Sequence, residues 1–75
     1  MTDITYDPEA DAAYVTLSTT AVNDSAEVAP GVVLDFDTQG RVVGIELLAA
    51  TRHLAPGDWS RARRPTGPRK AHAAE

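Results

Sequence analysis

The chain has no cysteine, so disulfide bridges and thiolate metal ligands are both excluded. It has no apolar run long enough to span a bilayer, and its N terminus lacks the charged-then-apolar pattern of a signal peptide. We therefore expect a cytoplasmic protein without a membrane segment. No cofactor motif is present, and no cofactor is expected.

Basic residues are almost missing from most of the chain. Residues 1–59 contain ten acidic side chains against Arg41 and Arg52, a net charge of −8, whereas residues 60–75 have a net charge of +4. A length of 75 residues allows one domain with a small core. We predict a single domain over residues 1–59 and a disordered basic tail over residues 60–75, because the tail has proline and glycine but no large apolar residue.

Apolar and polar residues alternate with a period of two, which predicts β-strands. The predicted strands are at residues 4–6, 13–18, 32–37 and 42–48, and residues 28–30 lead into the third of them. Asp7-Pro8-Glu9-Ala10 suits a type I turn, residues 19–26 indicate a loop, and residues 49–54 predict one or two helical turns. The expected fold is mainly β with a short α element: a small antiparallel β-meander of three to four strands plus a short C-terminal helix.

Residues 35–46, DFDTQGRVVGIE, match the calcium loop of an EF-hand at Asp35, Asp37, Gly40 and Glu46. The flanking residues have the periodicity of strands rather than helices, and residues 37–40 suit a hairpin turn with positive φ at Gly40. The EF-hand match therefore predicts a turn between two strands.

The register of this hairpin decides how far apart its carboxylates lie. A four-residue loop is preferred because it keeps the larger apolar residues on one face, with Phe36 opposite Arg41; a three-residue loop with a bulge at Gly40 is the alternative. In the preferred register, Asp35 lies roughly 13 Å from Glu46. Calcium ligands lie about 2.3–2.6 Å from the ion, so no specific metal site is expected.

The acidic residues of the two turns suggest little chemistry of their own. Weak cation binding at Asp35 and Asp37 remains an alternative function. Asp7, Glu9 and Asp11 form a turn that we expect to be solvated, since acid–base catalysis needs a water-excluded pocket. No base accompanies the serine and threonines of residues 18–20, so we do not expect an enzyme.

The two histidines and the single tryptophan are interpreted as structural residues. His53 is expected near the end of the short helix, where a partly charged imidazole is favourable, and with His72 it does not make a metal site. Trp59 is expected to close the open end of the core or to contact a partner's surface.

The predicted sheet has more apolar surface than one short helix can cover. The predicted core and interaction face consists of Val15, Leu17, Val32, Leu34, Phe36, Val43, Ile45 and Leu47. The second face still shows Tyr14, Val33, Val42 and Leu48. We therefore predict a protein-interaction module that is a homo-oligomer, with a sheet-on-sheet dimer favoured, or that binds a small protein partner.

The basic tail suggests a different function. Its candidate phosphate contacts are Arg61, Arg63, Arg64, Arg69 and Lys70. A nucleic-acid-associated protein that uses this tail is an alternative, although no aromatic residue is interleaved among these side chains and no helix-turn-helix accompanies them.

Two turn motifs and two strand patterns, in this order, resemble a known family. YDPEADAAYVTLS followed by EVAPGVVLDFDTQGRVVGIELLAATRHL is similar to the small bacterial proteins of domain of unknown function 2283, over roughly residues 4–54. Ala13 stands where that family usually has leucine, and Gln39 where Asp or Asn is common. The resemblance implies an antiparallel β-meander with a short helical end and no established activity. Members beside small toxin-like partners suggest an antitoxin-like role.

Overall fold

A five-stranded antiparallel sheet dominates the computed structural model, which describes residues 2–65. The strands are β1 (Asp3–Asp7), β2 (Ala12–Thr16), β3 (Asp24–Ala29), β4 (Val32–Phe36) and β5 (Val42–Leu48). A short helix, α1 (Ala50–His53), and a 3₁₀ helix (Asp58–Arg61) follow the sheet. The prediction of a mainly β, antiparallel fold with a short C-terminal helix is confirmed, and His53 ends that helix as expected.

The strands lie in the order β1-β2-β5-β4-β3, so β5 is the central strand. The β1–β2 hairpin packs beside a β3–β4–β5 meander. The connection from β2 to β3 passes the end of β5, where the Leu17 and Ser18 N–H groups both donate to the Val43 carbonyl at 2.9 and 3.1 Å. The structure thus has one strand more than predicted, because residues 24–26, expected in a loop, belong to β3.

Two of the turns follow from local chemistry. The Asp7 carboxylate accepts the Glu9 N–H at 3.0 Å, which confirms the predicted turn. Residues 28–30 were expected only to lead into a strand, whereas Val28 and Ala29 belong to β3, and Pro30 and Gly31 form the turn between β3 and β4. Gly31 has φ 78°, and a Cβ there would lie 2.9 Å from the Leu48 carbonyl oxygen, so glycine is needed for both reasons.

The turn between β4 and β5 differs from the preferred prediction. The Asp37 N–H donates to the Arg41 carbonyl at 2.8 Å, and the Gly40 N–H donates to the Asp37 carbonyl at 3.1 Å. The loop therefore has three residues, Thr38 to Gly40, and the predicted four-residue loop is wrong. Gly40 has the predicted positive φ, 78°, which is the left-handed residue that closes such a loop.

A second irregularity between Asp35 and Phe36 then shifts the register again. Beyond it, Leu34 pairs with Ile45 and not with Val43, as the four-residue loop had predicted. Two shifts of one residue each restore the alternation of faces, because side chains repeat with a period of two along a strand. The apolar residues of both strands therefore share a face, although the predicted partners were wrong.

The core lies where the C-terminal segment, residues 49–65, crosses β1, β2 and β5. Its buried residues are Tyr6, Ala13 and Ala50, and Leu47, Leu54, Trp59 and Ala62 pack against them. The Trp59 ring meets the Tyr6 ring edge-to-face at 4.9 Å, and its indole N–H donates to the Ala55 carbonyl at 2.6 Å. Trp59 closes the core, as expected.

The C-terminal segment stays in contact with the sheet beyond the predicted domain boundary at residue 59. Ala62 packs on the core, and the Arg63 carbonyl accepts the Tyr6 N–H at 3.0 Å. The Arg63 guanidinium also pairs with Asp3. Residues 60–65 are thus part of the domain, and the remainder of the predicted tail lies outside the described residues. Between residues 2 and 65, no helix is long and apolar enough to cross a membrane.

Candidate interaction surface

Strand pairing aligns apolar side chains in rows that cross the sheet. One row consists of Ile4, Val15, Ile45, Leu34 and Ala26, with one residue from each of the five strands. A parallel row consists of Tyr6, Ala13, Leu47, Val32 and Ala29. Together they form the apolar face. The C-terminal segment covers only the part of this face around Tyr6, Ala13 and Leu47.

The remaining large apolar side chains of this face are called the open half: Ile4, Val15, Val32, Leu34, Phe36 and Ile45. All of them are partly exposed, and none belongs to the buried core. The buried apolar residues of the described chain are few: Tyr6, Ala12, Ala13, Val43 and Ala50. Alanine supplies most of that core, while the leucines, isoleucines and the phenylalanine stay partly in contact with water. Each side chain of the open half is half-buried, and the exposed large apolar residues of the described chain are Leu17, Val28, Val42 and Leu48.

Each edge strand of the sheet has a local feature that hinders further strand pairing. On β1, the Tyr6 N–H already donates to the Arg63 carbonyl. On β3, the Ser25 N–H donates to the Asp24 carboxylate at 2.9 Å, and a bulge lies between Glu27 and Ala29. Acidic side chains and bulges are common protections of edge strands. These features disfavour the edges as binding surfaces and leave the apolar face as the stronger candidate.

The opposite face carries a buried polar cluster. The side chain of Asp35 is fully buried, with 0% exposure. The Tyr14 hydroxyl donates to one of its oxygens at 2.6 Å, and the Ser25 hydroxyl donates to the other at 2.6 Å. A Cβ at Gly44 would lie 2.1 Å from the Tyr14 hydroxyl oxygen. The Tyr14 ring therefore reaches Asp35 by lying across Gly44, where no side chain obstructs it.

Glu46 adds a second buried carboxylate to this cluster, with 4% exposure. It pairs directly with Tyr14, and it follows Gly44, the cross-strand partner of Asp35, by two residues. Asp35 and Glu46 are thus diagonal neighbours with Cα atoms about 7–8 Å apart, and the predicted separation of roughly 13 Å is wrong. Burial raises the pKa of Tyr14 well above its usual range, and the Asp35 hydrogen bond adds to this.

The other two aspartates of interest are held by their local turns. Asp37 accepts the N–H groups of Gln39 and Arg41 at 2.8 and 2.9 Å, and the backbone bond from Arg41 is the main cause of its lowered pKa. Asp11 accepts the Thr51 hydroxyl at 2.7 Å and the Tyr6 hydroxyl at 2.7 Å, which lowers its pKa. The expectation that Asp11 is only a solvated turn residue is wrong, because it connects the first hairpin to α1.

The predicted interaction residues lie in three environments. Val32, Leu34, Phe36 and Ile45 lie in the open half, Leu47 lies under the C-terminal segment, and Val43 is buried beside the register shift. Of the predicted second face, Tyr14 and Val33 flank Glu46, and Val42 and Leu48 are exposed.

The candidate phosphate contacts are only partly described. Arg63 pairs with Asp3, and Arg61 lies 3.6 Å from the Asp58 carboxylate in an exposed ion pair. Arg64 is exposed, and Arg69 and Lys70 lie outside the described residues.

The polar cluster of Tyr14, Ser25, Asp35 and Glu46 was not predicted as a unit. It depends on the register of β4 and β5, which the sequence pattern did not determine. Gly44 is the one local signal, since a glycine inside a strand often marks a close approach of another group. Within residues 2–65, no group of three or more His, Cys, Asp or Glu side chains is arranged to hold a metal ion.

Comparison with known proteins adds a family but no activity. The family model described as protein of unknown function, DUF2283, matches residues 3–50. No curated protein and no solved structure matches the chain significantly. The match runs from β1 to the start of α1, and so includes the whole sheet and the polar cluster but not Trp59. Because it covers more than half of the chain, the protein belongs to the DUF2283 family.

Proposed function

We propose that this protein is a protein-interaction module that binds another polypeptide chain through the open half of its apolar face. The observation that carries the proposal is the mismatch between large and small apolar residues. The buried core is mostly alanine, whereas Leu34, Phe36 and Ile45 remain partly exposed beside it. Burying apolar surface stabilises an assembly by about 25 cal/mol per Å².

The rest of the surface supports this choice of binding site. Each sheet edge has one backbone N–H engaged within the chain, that of Tyr6 on β1 and that of Ser25 on β3. On the polar face, Asp35 is already hydrogen-bonded within the domain. Contiguous apolar surface on a small protein typically marks a contact with another molecule. The partner is either a second copy of the chain or a small protein, as in an antitoxin-like pair.

The two alternative functions find less support. For nucleic acid, Arg61 and Arg63 already face carboxylates of the same chain, and the sheet around them is acidic. For cations, both oxygens of Asp35 and both oxygens of Asp37 accept hydrogen bonds, so an ion would have to replace those donors. Neither function explains why the large apolar residues are left uncovered.

The proposal is tested by changing one leucine on each face. Leu34→Lys places a charge in the open half, and Leu48→Lys makes the same change at an exposed leucine on the opposite face. Lysine is used because an added acid would repel an already acidic domain. The wild-type chain and both variants are immobilised and exposed to a lysate of the source cells mixed with a tagged copy of the chain.

We expect at least one protein, the tagged copy included, to be retained by the wild type and by Leu48→Lys but lost with Leu34→Lys. Circular dichroism of each variant establishes that the sheet is intact. Equal retention by all three chains would show that the open half is not the binding surface, and no retention by the wild type would contradict the proposal altogether.

A further inference from the structure

We infer that the partner of the open half is a second copy of this chain, packed face to face about a two-fold axis near Ile45. This inference rests on the proposed function, because it names the occupant of the same surface. Three properties of the open half support the inference. It has no charged side chain, it is centred on the middle strand β5, and the C-terminal segment rises beside it over one half of the neighbouring row.

The lack of charge is the first argument. Every side chain of the open half is apolar, and an acidic residue, Asp24, lies at its rim as the exposed cross-strand partner of Phe36. A partner selected by charge would find nothing to pair with at the centre of this surface. Two copies of an acidic chain, with a net charge of −4 each, can meet here because their charges lie elsewhere. Self-association is therefore not opposed at the contact.

The position of Ile45 is the second argument. It lies on β5, the central strand, with Val15 on one side of it and Leu34 on the other. A two-fold axis parallel to β5 at Ile45 places β2 of one copy over β4 of the other. Val15 then meets the partner subunit's Leu34, and the reciprocal contact follows from the symmetry, as an isologous interface requires.

The step beside the open half is the third argument. In the row that contains Leu47, the C-terminal segment covers the residues of β1, β2 and β5. The residues of β4 and β3 in that row, Val32 and Ala29, are not covered by it. The same two-fold axis brings each copy's C-terminal segment over the uncovered end of the other's row. Packed sheets lie about 10 Å apart, a gap that a short helix also fills. The second copy thus covers both the open half and the remainder of the row.

The size of the surface sets the expected affinity. Five strands span about 19 Å from the first to the last, and three residues of one face span about 13 Å along a strand. The product is roughly 250 Å² for the open half alone, well below the value of about 800 Å² per partner of a standard specific interface, so the dimer is expected to be weak. We therefore expect a dissociation constant in the micromolar range, and a monomer–dimer equilibrium that is visible on dilution.

Sedimentation equilibrium of the full chain, from about one to several hundred micromolar, tests the inference. The wild type and Leu48→Lys are expected to shift from monomer to dimer over this range. Leu34→Lys is expected to weaken dimerisation by at least tenfold while keeping the circular dichroism of the sheet. A wild type that stays monomeric throughout, or equal dimerisation of the two variants, would overturn the inference.

A second measurement remains decisive if Leu34→Lys does not fold. Because the chain has no cysteine, Ile45→Cys introduces a single thiol at the expected axis, and Leu48→Cys introduces one on the opposite face. A short bis-maleimide should link two Ile45→Cys chains at least tenfold faster than two Leu48→Cys chains. Equal rates would overturn the face-to-face geometry.

The two proposals fail in different ways. The wild-type chain could be monomeric and still retain a protein from the lysate in a Leu34-dependent manner. This result would contradict the homodimer but would support the proposed interaction module. A monomeric wild type with no Leu34-dependent retention contradicts both.

Discussion

The two faces of the sheet differ in how completely they bury their side chains, and the difference runs against their polarity. On the polar face, the carboxylate of Asp35 has 0% exposure and that of Glu46 has 4%. On the apolar face, Leu34, Phe36 and Ile45 stay partly exposed. The charged groups of this domain are thus better shielded from water than its largest aliphatic ones.

This comparison shows that a small sheet can supply hydrogen-bond partners for a buried carboxylate more easily than it can bury large apolar side chains. A buried carboxylate requires donors at fixed positions, and cross-strand geometry brings the Tyr14 and Ser25 hydroxyls to Asp35 within one chain. Apolar burial requires only area, and 75 residues supply little of it. The hydrogen bonds of Asp35 are therefore completed inside the chain, whereas the open half stays partly exposed.

The polar face is most sensitive at Gly44. In Gly44→Val, the new Cβ would collide with the Tyr14 hydroxyl at 2.1 Å and the ring carbon beside it at 2.6 Å. The ring must leave Asp35, so overpacking and the loss of a charge-assisted hydrogen bond add up to about 3–5 kcal/mol. Urea unfolding of both proteins measures this loss.

The control for Gly44→Val is the same change in a Tyr14→Ala background. With the ring removed, valine has room, and we expect most of the cost to disappear, leaving an interaction energy of about 2 kcal/mol or more in the double-mutant cycle. Additive effects of the two substitutions would show that the Tyr14 ring does not lie across Gly44.

The two halves of the apolar face should respond differently to truncation. Trp59→Ala removes the ring that covers Tyr6, and we expect a loss of about 2–3 kcal/mol at any protein concentration, less than for a fully buried tryptophan. Leu34→Ala removes a partly exposed side chain, and the expected loss in the monomer is below about 1 kcal/mol.

Protein concentration separates these two variants. Thermal unfolding is followed at low and high micromolar concentration, since a dimer is stabilised by mass action. The destabilisation by Leu34→Ala should grow with concentration, while that by Trp59→Ala should stay nearly constant. A concentration-independent effect of Leu34→Ala would remove the distinction between the covered and the open half.

The sequence pattern placed Leu34 and Ile45 on one face correctly, but it did not predict their pairing. It also placed Val42 on the second face, which is wrong, because Val42 pairs with Phe36 of the apolar face. Leu34 and Ile45 alternate correctly in any register shifted by two residues, because faces repeat every second residue. The three-residue loop at Gly40 shifts the register by one, and the irregularity near Phe36 shifts it by one more. Two such shifts leave the alternation of faces unchanged, so the hydrophobic pattern cannot reveal them. The error in the predicted Asp35–Glu46 distance follows from these two shifts.

The strand β3 was not predicted from the sequence, for a different reason. Asp24, Ser25 and Glu27 are polar because an edge strand has only one neighbour and is mostly exposed. Edge strands are also protected by charge, which weakens the alternation that identifies a strand. In the C-terminal segment, the placement of Trp59 was predicted correctly, but the contact of Arg63 with β1 depends on a backbone hydrogen bond that leaves no side-chain pattern.

The hydroxyl of Tyr14 gives a milder test of the polar face. Tyr14→Phe keeps the ring over Gly44 and removes the donor at 2.6 Å from Asp35, so we expect a loss of about 2 kcal/mol at neutral pH. Ser25→Ala is the matched variant, because it removes the donor to the other carboxylate oxygen. A neutral result for Tyr14→Phe would show that the short hydrogen bond does not stabilise the fold.

The effect of Tyr14→Phe should depend on alkaline pH in a known direction. The pKa of Tyr14 is raised in the folded chain, because burial and the nearby Asp35 disfavour the phenolate. Its contribution is thus complete below the unfolded pKa of about 10 and is lost as the pH rises through the folded value. The stability difference between wild type and Tyr14→Phe should narrow above about pH 10. A difference that widens there would contradict the buried phenol.

A small effect that is independent of protein concentration is expected at a turn that touches neither face. Gly40 has φ 78°, and a Cβ placed there meets no atom within 4 Å, so Gly40→Ala costs only the strain of a left-handed alanine, about 1 kcal/mol. Gly40→Asn should cost less, since asparagine tolerates this conformation. Because the turn lies outside the open half, the loss should be the same at low and high protein concentration. Gly40→Ala is therefore the control for Leu34→Ala. If Gly40→Ala also destabilised the protein more at high concentration, the turn itself would lie in the dimer contact. The interface would then be placed at the β4–β5 turn and not at the centre of the apolar face.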